Sequence, residues 1–475
     1  MEQEMVANAA RESGASDRRQ DRWAWRRIGS PTTGKAVGRL ALWCVGSAMI
    51  ANLLFNLAAW AAGLHHPYSI FLSVPRDRFA DFFKLSFSYP GPPLHPTGQL
   101  WQMDARFASY QAFVNSHAHS LFNHFHEPPL TTLMAFSWRQ LMSVVDPVLL
   151  YAFFVAAGLA ALTAVIVWSL DPLARGWSLA IVAIVNYPVA FMVDRGHLFS
   201  LACALALLAA LLRAPGKRGD WVAITLYALA INVRPNAAIF PALLFICRRF
   251  SAIQLISVGL ASLALLIGAL AITHMLYPAY GPTSFVTGLF VYSSFYIKSD
   301  LGLAYGSSLF GALKVLFGTG VESMFVQLTV TTLLLVGLTL ASHRRRLSDA
   351  ATVYLIACAY CLVSPVFADY HLIVFLAPLV LLARQGELGT RTDWAVFIGC
   401  CFVLAPKNYL FQPDPMYDIP WSWQIVANPV MLIATAAYVI ACALAGTPKI
   451  DHAIGAGLRR LRPPPGSAAS FPPPS

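Results

Sequence analysis

A carboxylate set among aromatic rings and flanked by cations can act as a base. Asp81 has those neighbours: Phe79, Phe82 and Phe83 surround it, Lys84 is close behind, and Arg76 and Arg78 precede it. Apolar surroundings raise a carboxylate's proton affinity while nearby cations hold it ionised, which suits a general base. An exposed Asp in a basic loop would have the same composition. Asp104, in Met103-Asp104-Ala105-Arg106-Phe107, competes for the role. A second constellation, Asp369-Tyr370-His371, follows Ser364-Pro365. Its His could bind a phosphate oxygen or donate a proton; the same three residues could also be a helix-end cap with an interfacial Tyr. Arg234 stands before Pro235, and a buried guanidinium needs an anion, from a substrate phosphate or from a structural carboxylate. Arg195 and His197, in Asp194-Arg195-Gly196-His197, raise the same question.

Other chemistry has weaker signals. His117-x-His119 and His124-x-His126 invite a metal reading, but paired His also packs at interfaces, and no spacing such as HExxH is present. No metal or cofactor is expected, and no Gly-rich phosphate loop of the P-loop type occurs. The 8 cysteines lie almost wholly in apolar runs, so no disulfide framework is expected. Cys358-x-x-Cys361 lacks a thioredoxin-like context and reads as buried packing.

These residues must be held by membrane helices. Of 475 residues, 57% are hydrophobic and only 12% charged, and mean hydropathy is +0.61. Soluble chains carry about 25% charged residues. Several runs reach the ~20 residues needed to span a bilayer, the first being Leu40–Gly63. The net charge of +11 is not a nucleic-acid footprint, because the basic residues cluster at the ends of apolar runs. Arg26-Arg27, Arg213 with Lys217-Arg218, Arg248-Arg249, Arg344-Arg345-Arg346 and Arg459-Arg460 are such clusters. Short basic loops stay in the cytoplasm, so the clusters orient the chain.

The expected fold is all-α: a polytopic membrane bundle of about 11–13 helices with a large first external loop. Residues 1–37 read as a cytoplasmic, basic, disordered tail, residues 38–447 as the membrane domain, and residues 448–475 as a cytoplasmic Pro-rich tail. No cleavable signal peptide is apparent. The external loop is Leu64–Pro129, within which residues 97–116 have the spacing of an amphipathic surface helix. Apolar segments follow at 130–145, 148–170, 177–193 and 198–212. Four crossings would strand the basic loop at Arg213–Arg218 outside, so one is incomplete; the break at 194–197 is the expected place. Residues 221–247 read as a helical hairpin folded at Arg234-Pro235-Asn236.

Taken together, these residues resemble the GT-C superfamily of polyprenyl-phosphate-dependent glycosyltransferases, in particular the glycosyltransferase family 87 group. Asp81-Phe82-Phe83 resembles the acidic, aromatic motif of the family's first external loop, whose Asp is the catalytic base. Glu127-Pro128-Pro129-Leu130 resembles the Tyr-Pro-Pro entry to the second span. Gly196-His197 through Arg234-Pro235 resembles the Gly-Gln-x-Asn segment and the Ala-Leu-Lys-Pro turn. Ser364-Pro365 with Asp369-Tyr370-His371 resembles the Ser-Pro…His motif near the donor phosphate. Glu127 replaces a usual Tyr, His197 a usual Gln and Arg234 a usual Lys. The likeness covers roughly residues 40–385. It implies transfer of a hexose, mannose above all, from a polyprenyl-phosphate sugar to a lipid- or glycan-linked acceptor on the outer face of a bacterial inner membrane. Asp81 would then be the base, with His371, Arg234, Tyr370, Asp369, Glu127, Arg195 and His197 around the substrates. A multi-span transporter or flippase would equally explain many spans and broken segments, but paired halves are missing. A purely structural membrane scaffold would leave the buried ionisable residues without a purpose.

Overall fold

The computed structural model describes residues 31–62, 82, 127–170, 177–213, 220–278, 280–298, 307–317, 321–343, 347–364, 367–385, 388–407, 411–412, 421–422 and 424–445. The protein is an all-α bundle. In chain order its helices are α1 (Pro31–Ala61), α2 (Pro129–Leu141), α3 (Pro147–Ser169), α4 (Trp177–Ile184), α5 (Tyr187–Arg195), α6 (Leu198–Leu212), α7 (Trp221–Val233) and α8 (Ile239–Ile246). They continue with α9 (Ala252–Leu276), α10 (Pro282–Lys298), α11 (Leu309–Phe317), α12 (Val321–His343), α13 (Asp349–Val363), α14 (Leu376–Gln385), α15 (Arg391–Leu404) and α16 (Gln424–Ala445). Short 3-10 turns at Pro235–Ala238 and Asp369–Phe375 lead into α8 and α14. The strand pairing described is one antiparallel couple, β1 (Phe411–Gln412) with β2 (Trp421–Ser422).

Helix starts follow from local chemistry. Asp146 caps α3, accepting from the amides of Val148 at 2.8 Å and Leu149 at 3.0 Å, with Pro147 as the first helical residue. Ser251 with Gln254 and Thr390 with Asp393 form reciprocal capping boxes at α9 and α15. α1 begins at Pro31, inside the stretch expected to be a tail. At Gly38 an added Cβ would lie 2.5 Å from Ser178 Oγ, so α1 and α4 touch there because that side chain is missing.

Among the described residues, five helices are long and apolar enough to cross a membrane: residues 35–55 of α1, with α3, α9, residues 325–343 of α12, and α16. A sixth is possible by counting α4 and α5, bent 43° against each other, as one span. The remaining apolar helices are shorter, which is why counting apolar runs gives the larger figure of about 11–13. The short helices form the interior. Every residue from Ala350 to Leu362 of α13 is buried, as is Leu376–Ala383 of α14. The long ones surround them, with only 17–33% of their most apolar stretch buried within the protein.

Hydrogen bonds between helix ends show which ends lie together. Arg384, in the last turn of α14, donates to the carbonyls of Ser169 at 2.5 Å and Leu212 at 2.7 Å. The C-termini of α3, α6 and α14 therefore meet, and a cation complements their partial negative charge. Arg248 contacts His343 at 2.9 Å and Arg249 pairs with Asp349 at 3.0 Å, which gathers the ends of α8 and α12 with the start of α13. These arginines mark one end of the bundle as basic. At the opposite, polar end, Tyr280 donates to the Glu127 carbonyl at 3.1 Å, Gln327 to Val363 O at 2.9 Å, and Gln424 to Asp369 at 2.6 Å.

α2 stays at the polar end. Thr131 Oγ1 donates to Val233 O at 3.3 Å, Trp138 stacks on Phe199 at 4.5 Å, and Tyr151, at the start of α3, donates to Val193 O. The incomplete segment is therefore α2 and not the chain around 194–197, which corrects the expectation from sequence. A 13-residue helix is roughly 20 Å long, too short to cross alone. The expected fold at Arg234-Pro235-Asn236 is present between α7 and α8, with α7 packed on α6 and α9 and α8 on α13.

This arrangement predicts thiol accessibility on a cysteine-free background. An impermeant reagent applied from outside should label Ser88→Cys and Val144→Cys, in the turn after α2, and should spare Ser348→Cys at the basic end. Labelling of Val144→Cys only after permeabilisation would restore α2 as a full crossing.

Candidate functional site

Two breaks in the helices bring the polar residues together. α5 ends at Gly196, whose φ of 76° is open to glycine and disfavoured for other residues. The amides of Gly196 and His197 both return to Met192 O, at 3.0 and 3.1 Å. The next residue, His197, opens α6, and its ring is turned toward Arg234. Arg234 ends α7 in an extended conformation, φ −142° and ψ 101°, as a residue before proline must.

Arg234 NH2 lies 2.5 Å from His197 Nε2. A guanidinium can only donate, so Nε2 accepts, while Nδ1 faces Ser200, 3.0 Å from its Oγ and 3.4 Å from its backbone amide, at the N-cap of α6. Arg234 NH1 is 3.8 Å from Glu127 Oε2, an ion pair longer than a direct hydrogen bond. Glu127 is held from its backbone, whose carbonyl accepts from Tyr280 OH and, at 3.3 Å, from Thr132 Oγ1. Asn236 Nδ2 donates to Ser364 Oγ at 3.1 Å and ties the Arg234 bend to the Ser-Pro segment.

The Asp369-Tyr370-His371 triplet divides between two environments. The Tyr370 ring lies 4.5 Å from that of His197 and stacks on Phe191 at 6.0 Å. His371, 4.7 Å from Tyr370 and 5.4 Å from Phe367, lies within electrostatic range of Arg234 and His197. Its imidazole is only 8% exposed and has no hydrogen-bond partner among the described residues.

Asp369 turns the other way. Its Oδ2 accepts from Tyr187 OH at 2.8 Å and from Gln424 Nε2 at 2.6 Å, and its Oδ1 accepts from Ser307 Oγ. Asn428 Nδ2 donates to Ser307 Oγ at 2.7 Å. One carboxylate thus joins α5, α16 and the segment before α11, with Lys407 near enough to act on its charge. These contacts make Asp369 a structural hub rather than a member of the Arg234 cluster. Sequence reading missed Tyr187, Ser307, Gln424 and Asn428. Only Asn428, followed by Pro429 inside an apolar run, carried a visible signal.

Glu127, His197, Arg234, Tyr370 and His371 are therefore gathered at one place. Arg195 is buried in the last turn of α5, where its cation suits the helix end. Asp81, Asp104, most of the Leu64–Pro129 loop, the 97–116 segment, the four loop histidines and both tails lie outside the described residues. Phe82, which follows Asp81 in the chain, is fully buried, 5.0 Å from the ring of Tyr151 and 5.5 Å from Trp138. Among the described residues no group of three or more His, Cys, Asp or Glu is placed to hold a metal.

Chemically, the cluster offers a permanent cation, an imidazole held as acceptor, an imidazole with open hydrogen-bonding capacity, and a carboxylate. Comparison with protein-family models, curated proteins and solved structures finds no match for this chain.

Asp369→Ala should destabilise the fold by about 2–4 kcal/mol, because several buried donors lose their acceptor. Asp369→Asn should be milder. Thermal unfolding in detergent measures both; an unchanged midpoint for Asp369→Ala would remove the hub role.

Proposed function

We propose that this chain is a membrane glycosyltransferase that takes a hexose from a polyprenyl-phosphate sugar and passes it to a lipid- or glycan-linked acceptor. Mannose is the sugar that the family 87 resemblance implies. The observation carrying this reading is the meeting of Arg234 with His197 and Glu127 beside the imidazole of His371, which has no hydrogen-bond partner among the described residues, at breaks in membrane helices. Guanidinium and imidazole donors at membrane depth suit a lipid-borne phosphate. Nothing in the reading requires a metal or a cofactor. The outer face of a bacterial inner membrane is the location that fits it, with surrounding lipids and the two substrates as partners and no nucleic acid.

The reaction is a single displacement. The acceptor hydroxyl oxygen attacks the anomeric carbon as Asp81 takes its proton. The bond from that carbon to the phosphate oxygen breaks on the opposite face, polyprenyl phosphate leaves with the electron pair, and the configuration inverts. Arg234 and His371 stabilise the charge that develops on the leaving phosphate. Phosphate leaves without a strong acid, so one carboxylate suffices where glycoside hydrolysis commonly uses two.

A transporter or flippase has one observation in its favour. The bent α4–α5 pair and the break at Arg234 resemble the discontinuous helices that line transport sites. Transfer of label from a radiolabelled polyprenyl-phosphate sugar, set against solute and lipid flux in proteoliposomes, separates the two.

Within the transferase reading, Asp81→Asn should lower turnover about 10²–10⁴-fold, the usual effect of losing a general base, with donor binding retained. Asp104→Asn should be much milder. Collapse in Asp104→Asn with normal turnover in Asp81→Asn would move the base to Asp104, and normal turnover in both would end this mechanism. Arg234→Ala and His371→Ala should each weaken donor binding by about 1.5–3 kcal/mol. Unchanged donor saturation in both would detach the cluster from the donor phosphate.

A further inference from the structure

At the end of the bundle opposite the Arg234 cluster, a cavity of about 420 Å³ opens between the ends of α8 and α12 and the start of α13. Arg248, Arg249, Ser342, His343 and Thr352 line it. That volume falls within the range of small-ligand sites.

The backbone at Arg248 is unusual. Its amide bonds Phe245 O at 2.9 Å, and the next amide, of Arg249, bonds Leu244 O at 2.8 Å. This is the Schellman ending of α8, in which the residue corresponding to Arg248 adopts left-handed backbone angles and is usually glycine. Arg248 has a φ of 57° and is the one non-glycine residue with positive φ among the described residues. A strained side chain kept where glycine would fit more easily points to a use for that side chain.

Its electrostatic setting identifies the use. Arg249 is satisfied by Asp349 at 3.0 Å and Leu347 O at 3.3 Å. Arg248 has no carboxylate partner among the described residues, and its guanidinium donates to His343 Nε2 at 2.9 Å. His343 Nδ1 donates to Thr339 O at 3.1 Å, so the ring serves as an acceptor and aligns the guanidinium without neutralising it. Ser342 adds a hydroxyl to the lining. In sequence, His343 continues into Arg344-Arg345-Arg346. The cavity also lies where two membrane-length helices have their ends, at the end of α12 and the start of α9, a position that in a bilayer would fall near the lipid headgroups.

We propose that this cavity binds a phosphate group carrying net negative charge, as presented by an anionic phospholipid or by free phosphate. Basic pockets between membrane helices at the cytoplasmic side are suited to such headgroups. The guanidinium of Arg248 provides planar, paired donors for phosphate oxygens.

The test uses the full chain in detergent micelles, with short-chain phosphatidylglycerol, phosphatidylcholine of the same chain length and inorganic phosphate as separate probes. Thermal midpoint and native mass spectrometry report binding. Phosphatidylglycerol should bind saturably and about tenfold more tightly than phosphatidylcholine. Arg248→Gly should weaken it about tenfold while leaving the ligand-free midpoint unchanged or higher, because glycine relieves the backbone. Arg248→Lys keeps both the strain and the charge and should bind within severalfold of the native protein. Binding of inorganic phosphate that depends on Arg248 and competes with the lipid would support the site with free phosphate as its source. Equal phosphatidylglycerol binding by the native and Arg248→Gly proteins, or equal binding of the two lipids, would overturn the proposal.

Discussion

A helix interrupted inside a bilayer leaves backbone groups that hydrocarbon cannot satisfy, so each interruption must bring its own hydrogen-bonding partners. This constraint accounts for where the polar residues of the protein are found. Between α4 and α5, Asn186 donates to Val182 O at 2.9 Å and Ala183 O at 2.7 Å and accepts from the amide of Val189, closing the gap from both sides. Between α5 and α6, Gly196 turns the chain and His197 opens the next helix. Between α7 and α8, Pro235 fixes the extended backbone of Arg234, and Asn236 reaches across to Ser364. Each repair introduces a polar side chain, and the side chains from separate repairs meet. The cluster around Arg234 is built from groups that the broken helices already require.

Two kinds of buried polar chemistry result, and they differ in what they leave open. The Asp369 carboxylate is saturated by Tyr187, Gln424 and Ser307, so it fixes geometry and has little left to offer a ligand. Arg234 contacts His197 and Glu127, and His371 beside it makes no hydrogen bond among the described residues. Adjacent positions in one triplet thus take opposite roles because the 3-10 turn at Asp369–Phe375 directs them to different sides. Composition cannot show this. All three residues can hydrogen-bond, and it is the direction of the turn that separates them.

Much of the fold was legible in the chain. Long apolar runs and the basic clusters between them located α3, α9, α12, α13 and α16 to within a few residues, because membrane helices must be apolar and charge collects at their ends. Arg234-Pro235-Asn236 marked a fold in the chain through the conformational restriction that proline imposes. His197, Arg234, Tyr370 and His371 were recognisable as candidates because polar and ionisable residues at breaks in apolar runs are rare, and Glu127 through the likeness of its Pro-Pro segment to the entry of the second span. What stayed hidden depended on tertiary packing. The 130–145 run has the composition of a membrane span, yet α2 remains at one end because Trp138 stacks on Phe199 and Thr131 reaches Val233. Tyr187 and Gln424 look like ordinary interfacial residues until Asp369 is placed between them.

The division between long outer and short inner helices also affects how the protein responds to membrane thickness. A 15-residue helix such as α13 is roughly 22 Å long, against a hydrocarbon layer of about 30 Å. The outer helices are long enough to match the full thickness, whereas the inner ones match only part of it. A thicker or thinner membrane would therefore act first on the outer helices, through their tilt, while the short inner helices keep the lengths that their mutual packing sets.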